Sequence, residues 1–377
     1  MTPADLSRTV LHAVRRAVDE NALRAPVPAR VRVERTRPGG SGDYACAVAL
    51  QLAGPAELPA LEVARILRER VAVEPGIGRV EITGPGFLSF TLDAPADNDL
   101  ALLDAVREQG LAYGHGDALR DEVHHLHHAP EVRAAVTADA VRRLLAAQGA
   151  QVRIGCEQPG DDPEWTRLGV GVGPNVGVGP GDGVGPGVGA GPAVGPGVTV
   201  DARRTPRPVP AGTTAAGLLE RLGADAARWG LLRPAGHDRA PLGDELLVQG
   251  EANPLFRVRY AHARARALTR NAAALGFASA PGAAPYEDAA RPLLDLLADH
   301  PGVLLAAARH RAPDRVARQL EAVAHAFLDF HDCCPPLPSG DEKPSAAHRS
   351  RLALAEAAGT VLAGGLSLLG ISAPEHL

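Results

Sequence analysis

Four histidines crowd into His124-His125-Leu126-His127-His128, and the chemistry that such a run first suggests is metal ligation. Against it, neighbouring residues of a strand point to opposite faces, and no cysteine or carboxylate cluster stands at zinc spacing. No metal is therefore assigned. A second pattern lies downstream, where Arg259, Arg266 and Arg270 recur at i, i+7 and i+11. On a helix this spacing puts three guanidiniums on one face, either as a phosphate-binding stripe or as a solvated surface. Cys46, Cys156, Cys333 and Cys334 form neither a CxxC pair nor a disulfide framework, and they read as reduced thiols. No nucleophile with a partnering base, phosphate-cradling glycine loop or pair of carboxylates stands out, so no cofactor is expected.

The elements that must position these residues follow from composition and periodicity. A chain of 377 residues exceeds a single core, so two or three domains are expected. Apolar residues make up 45% but aromatics only 3%, which calls for a core of Ala, Leu and Val in close-packed helices. The net charge of −5 argues against DNA or any nucleic acid held by bulk charge, so basic surface must be local. Lys343 is the sole lysine. No signal-peptide core opens the chain and no apolar run is long enough to span a membrane, so the protein is expected to be cytoplasmic, with no membrane partner.

Leu6, Val10, Leu11, Val14 and Val18 share one helical face, predicting a first helix from Pro3 to Leu23. Val31 to Glu34 alternates as a strand, Tyr44 to Leu52 is small and apolar, and Pro59 to Val71 reads as helix. Val80 to Thr83 and Phe87 to Leu92 alternate around the turn Gly84-Pro85-Gly86, completing a small α+β domain that ends near Pro95. Val132 to Gln148 repeats at helical spacing, stops at Gly149 and leads into the strand-like Gln151 to Ile154, one step of an α/β unit. Gly169 to Gly197 is then a tract of Gly, Val and Pro that cannot nucleate a helix or pin a strand register, and is expected to be a disordered linker. Beyond it, Thr213 to Leu232, Asn253 to Leu275, Tyr286 to Asp299, Pro301 to His310, Asp314 to Phe330 and His348 to Leu369 read as helices of an all-α bundle.

The segment Asn253-Pro254-Leu255-Phe256-Arg257-Val258-Arg259-Tyr260-Ala261-His262-Ala263-Arg264 resembles the NPVFYVQYAHAR helix that opens the anticodon-binding domain of arginyl-tRNA synthetases. Gly223 to Arg228 is similar to that family's GVDAAR stretch, and Leu368 to Leu377 to its LLGIxAPERM ending. At the other end, Gly42-Asp43-Tyr44-Ala45 and Gly84-Pro85-Gly86-Phe87-Leu88-Ser89-Phe90 resemble the GDYAT and GPGFINF motifs of the synthetase N-terminal domain. The middle departs from the family. His128-Ala129-Pro130-Glu131 falls on the ATP-binding HxGH motif and keeps only the first histidine, while Pro130 stiffens the turn and Glu131 would repel a polyanion. The KMSKS-like loop falls near Arg204-Thr205-Pro206-Arg207-Pro208, without a lysine and with prolines that stiffen it.

The resemblance implies a set of RNA contacts. Phe87 matches an aromatic that meets the tRNA D loop, with Ser89 where the family has asparagine; Phe87 is alternatively an ordinary core residue. Tyr260 matches an aromatic that encloses an anticodon base, and Arg257, His331 and Leu377 occupy the other three places of that enclosure. Arg259, Arg264, Arg266 and Arg270 complete the set. His128, Arg204 and Arg207 are implied to be worn remnants of the catalytic motifs, with no catalytic residue assigned.

The fold class expected is multidomain α/β plus all-α. Residues 1–95 form an arginyl-tRNA synthetase-like N-terminal domain, 96–166 a remnant of a class I catalytic α/β domain, 167–212 a Gly/Val/Pro linker, and 213–377 a DALR-like anticodon-binding bundle. The function expected is non-catalytic binding of tRNA, specifically arginine tRNA, either to deliver it to another enzyme that uses aminoacyl-tRNA or to regulate its use. The alternatives are an arginine-tRNA ligase or accessory subunit, and a protein-interaction scaffold that binds no RNA.

Overall fold

The computed structural model describes residues 3–36, 41–74, 76–92, 95–157, 163–170, 199–200 and 205–377. Helix α1 (Pro3–Asp19) presents Leu6, Val10 and Val14 to a sheet built of β1 (Val33–Arg35), β2 (Tyr44–Cys46), β3 (Ile77–Thr83) and β4 (Phe87–Leu92). The strands lie antiparallel in the order β1-β2-β4-β3, with Thr83 opposite Phe87 across the expected turn. Leu88 and Phe90 of the central strand β4, with Val63 and Leu67 of α3 (Ala60–Val71), close the core of this unit. Gly42 must be glycine: its φ is 75° and a Cβ would stand 2.7 Å from the Phe90 carbonyl oxygen. Helix α2 (Val48–Ala56) went unassigned in the sequence, because Ala47 offers no capping side chain and Pro55 lies inside the helix.

A second core runs without interruption from Leu102 to Ile371. Helix α4 (Pro95–Gln109) leads into β5 (Glu122–His128), α5 (Val132–Ala147) and β6 (Gln151–Cys156), followed by the short α6 (Pro163–Arg167). With β7 (Thr199–Val200) these strands form a parallel sheet in the order β6-β5-β7. Of the Gly/Val/Pro tract, residues 171–198 lie outside the described residues.

The bundle consists of α7 (Ala215–Leu232), α8 (Pro254–Ala274), α9 (Arg291–His310), α10 (Asp314–Cys333) and α11 (Ala346–Leu368). Where the sequence suggested separate helices on either side of His300, α9 passes through Pro301 unbroken. Proline removes one helical hydrogen bond, but Leu293, Leu297, His300, Leu304 and Ala307 form one continuous buried face that holds both halves in line.

Two buried arginines join the α/β segment to the bundle. On α7, Arg228 directs Nη2 to Asp139 Oδ2 of α5 at 2.8 Å, Nε to the Leu369 carbonyl at 2.8 Å and Nη1 to the Leu168 carbonyl at 2.6 Å. Asp139 also accepts from Arg142 and Arg143 on its own helix. Burial by itself would raise this carboxyl, but the surrounding guanidiniums outweigh it and hold the group below the usual carboxylate range. Arg133, on the same helix, donates to the carbonyls of Val209, Leu231, Pro234, Ala235 and Asp238, closing the chain that leaves α7.

His300 packs parallel to Tyr113 with ring centroids 6.1 Å apart, and its buried Nδ1 has no hydrogen-bond partner among the described residues. Burial, and secondarily His115, pushes its pKa from 6.5 down to about 4. Between those values the unfolded chain holds a proton that the folded chain rejects, so stability falls as pH drops. The loss from about pH 6.5 to about pH 4 is expected to reach ~3 kcal/mol from this group. Urea midpoints measured across that range should decline, and His300→Leu should flatten the decline.

Candidate nucleic-acid interface

At the end of β5, where the HxGH-like residues fall, the chain fills its own site. His128 is buried, its ring edge against Trp165 with centroids 5.3 Å apart and Nδ1 2.8 Å from the Ala129 carbonyl. Glu131 is the N-cap of α5: Oε2 accepts from the Ala134 N–H at 2.9 Å and Oε1 from the Ala211 N–H at 2.8 Å. A helix N-terminus is a natural anion seat, and here a side-chain carboxylate already occupies it. Arg207 is exposed and bonded to Glu157 at 3.0 Å; Arg204 lies outside the described residues. Along β5, His124, Leu126 and His128 are buried while His125 and His127 alternate with them. Among the described residues no three His, Cys, Asp or Glu side chains converge on a metal position.

In the N-terminal unit the two D-loop candidates part company. Phe87 is 37% exposed at the tip of the hairpin, so it is not a core residue. Ser89 is 4% exposed, and the reason is topological: on the central strand it lies between Ala45 of β2 and Glu81 of β3, its hydroxyl 2.9 Å from that of Thr83. A base contact through Ser89 would require the sheet to open.

The bundle end offers a built surface. Asn253 caps α8, accepting from the N–H groups of Leu255 and Phe256, and its amide donates to the carbonyls of Leu246 and Val248. One residue thus starts the helix and fixes the preceding loop against it. Leu247 and Val248 stand exposed on that loop, and Leu377, 61% exposed, reaches the same place from the C-terminus. With Phe256, Arg259 and the bend of α7 at Gly223 (φ 72°), they line a cavity of about 340 Å³. Tyr260 is 41% exposed one turn along, its ring stacked on Phe256 with centroids 5.9 Å apart. The Arg257 guanidinium is held by the Glu251 carbonyl, and Arg264 donates to His331 at 3.3 Å. Sequence reasoning missed Leu247 and Val248; the signal was an apolar Leu246-Leu247-Val248 run in a connection otherwise rich in polar residues and glycine.

The arginine stripe does form one face of α8, but the chain's own terminus lies across it. Glu375 accepts from Arg266 at 2.9 Å and stands 3.9 Å from Arg270, while Arg259 lies 3.6 Å from Asp225. The hydrogen bonds and charge of Arg266 hold Glu375 below the usual carboxylate range. His262, its pKa lowered by burial, lies with Nδ1 3.0 Å from the Pro374 carbonyl and pins the same segment. The stripe is therefore an exposed face whose charge is shared with the chain's own carboxylates.

The described residues thus present an α+β unit with an exposed hairpin tip and a helical bundle with a cavity at one end. The arginyl-tRNA synthetase N-terminal domain family matches residues 5–92, and the DALR anticodon-binding domain family matches residues 258–377. Arginine–tRNA ligases of Frankia alni and Renibacterium salmoninarum are each 28% identical to this chain across the full length of both partners. Those alignments extend over 554 positions, 177 more than the 377 residues of this chain. Among solved structures, arginyl-tRNA synthetase of Thermus thermophilus superposes with a TM-score of 0.67 at 17% identity, covering all of both chains. That of Plasmodium falciparum superposes with a TM-score of 0.61 at 10% identity, covering 100% of this chain and 99% of its own. The chain is an arginyl-tRNA synthetase-related protein that carries the family's N-terminal domain and a DALR anticodon-binding domain. Among the described residues no helix is long and apolar enough to cross a membrane.

Glu131→Ala removes the cap of α5 and strands the Ala211 N–H. It is expected to cost about 1 kcal/mol, read as a lower urea midpoint, with Glu131→Asp recovering part of it.

Proposed function

We propose that this protein binds arginine tRNA without charging it, presenting the tRNA to another enzyme that uses aminoacyl-tRNA. The observation that carries the reading is Glu131, whose carboxylate is seated on the α5 N-terminus where an ATP-binding turn would need open N–H groups. Preorganised donors aimed at developing charge supply most of the rate enhancement in such transfers, and a carboxylate at that point opposes it. His128, turned into Trp165, is likewise withdrawn from any nucleotide. We assign most of the 177 unmatched positions to the catalytic domain, leaving residues 96–166 as its remnant and 167–212 as a linker.

The opposite end supports RNA binding. Residues 1–95 carry the exposed Phe87, and residues 213–377 carry the apolar cavity with the Phe256–Tyr260 ring pair at its rim. An unstacked base gains from such rings and from covering exposed apolar side chains, and Leu377, Leu247 and Val248 supply these. A second reading, a ligase subunit active beside a complete synthetase, draws on the full-length alignment with curated ligases.

Two measurements decide among these. ATP–pyrophosphate exchange with arginine and tRNA should stay at background for the protein alone and at the synthetase's own rate beside a complete synthetase; exchange above either level favours the ligase reading. Tyr260→Ala, at an exposed position whose loss opens no cavity, should leave the circular dichroism spectrum unchanged and weaken tRNA binding about tenfold or more. A parent protein that retains no tRNA leaves the scaffold reading in its place.

A further inference from the structure

The stripe on α8 shares its charge with Glu375 and Asp225, and a second group of guanidiniums stands apart from it. The corner between α9 and α10, the chain leaving α7 and residues 206–208 enclose a cavity of about 480 Å³. Arg207, Arg311, Arg315 and Arg318 line it, with His237 and His310, against the carboxylates of Asp238 and Asp314. The guanidinium of Arg133 also reaches this wall, but its N–H groups are committed to backbone carbonyls. Arg207 shares its charge with Glu157, Arg318 with Asp314, and Arg311 contacts His124. Arg315 is different: among the described residues its exposed guanidinium has no ion pair or side-chain hydrogen bond. In a chain of net charge −5 this is a local excess of cation around one uncommitted planar fork.

The surroundings narrow the ligand. Guanidinium forks match the oxygens of a phosphate bidentately. Among the described residues lining the cavity there is no Phe, Tyr or Trp, and its guanidiniums outnumber the rings of His237 and His310, so the lining suits phosphate better than a base. A phosphate carried by a ligand whose base is held elsewhere fits this lining. The second half of α7 supplies the link, since Gly223 to Ala226 form a wall of the apolar cavity and Leu231 and Leu232 a wall of the cationic one. From Ala224 to Leu232 the helix rises about 12 Å, a span that a few stacked nucleotides cover at about 3.4 Å each.

We propose that this arginine-lined cavity binds backbone phosphates of the same RNA whose base enters the apolar cavity at the start of α8. The inference rests on the tRNA-binding reading above. It moves the phosphate contact from the α8 stripe to the α9–α10 corner, with Arg315 as its principal ligand.

The test is tRNA affinity measured over a salt series for the parent, Arg315→Ala, Arg315→Glu and Leu377→Asp, with a parallel titration of inorganic pyrophosphate. Arg315→Ala should weaken all tRNAs alike by several-fold and reduce the slope of log affinity against log salt by about 1. Arg315→Glu should weaken binding further. Because Arg315 is exposed and uncommitted, both variants should keep the parent circular dichroism spectrum, and Arg315→Gln replaces either one that does not. Parent-like affinity and slope in Arg315→Glu, with binding weakened in Leu377→Asp, overturns the cavity's role while the tRNA reading stands. Pyrophosphate binding that depends on Arg315, with tRNA affinity unmoved, assigns the cavity to small phosphates and likewise overturns it. A parent that binds no tRNA overturns both.

Discussion

The guanidinium of Arg228 is the joint on which the larger unit is built. It lies inside the second core and satisfies Asp139 on α5, the Leu168 carbonyl beyond α6 and the Leu369 carbonyl at the end of α11, so three remote stretches of chain meet at one side chain. A buried charge is tolerable only when paired and hydrogen-bonded. Removing one partner of such a pair typically costs about 3–5 kcal/mol, because the other is left uncompensated. Gly370 belongs to the same constraint: its φ is 70°, and a Cβ there would stand 2.5 Å from the guanidinium. The chain can turn away from α11 only because that residue has no side chain. From this turn the terminal segment runs back over α8, carrying Ser372, Glu375 and Leu377 to their places.

Most of what distinguishes the two ends of the molecule follows from that joint. With α5 fixed against α7, Ala211 comes within reach of Glu131, and the carboxylate closes the helix N-terminus from two sides. With the terminus fixed at Gly370, Leu377 meets Leu247 and Phe256 at the far end of the bundle. One end is thereby sealed with the chain's own polar groups, and the other left open with its apolar ones. Anions bind to free donors and unstacked bases to free apolar surface, so the two ends differ in what each can offer a ligand.

The elements themselves were largely legible in the sequence. Leu6, Val10 and Val14, the hairpin around Gly84-Pro85-Gly86, and the run ending at Gly149 are local patterns, and local patterns are what periodicity reports. The site was legible in part. Tyr260 and Leu377 were identified and are exposed at the bundle end, Leu377 within its cavity. Ser89 was identified and is covered, because strand periodicity says which residues share a face but not which strands flank it. The arginine stripe shows the same limit: spacing put three guanidiniums on one face, while the carboxylate beside Arg266 comes from 109 residues away.

By itself, then, the sequence determined the helices and strands, their grouping into an α+β unit and a helical bundle, and the kinship with arginyl-tRNA synthetases. Each of these depends on residues close together in the chain. Only the tertiary structure decided that α9 continues through Pro301, that Glu131 seats itself on the α5 N-terminus, that Glu375 covers the stripe, and that Arg315 stands uncommitted at a cationic corner. Those outcomes turn on which charges and apolar surfaces are brought within a few ångströms of one another. Such proximity is set by the packing of whole elements, for which the spacing of residues along one element holds no record.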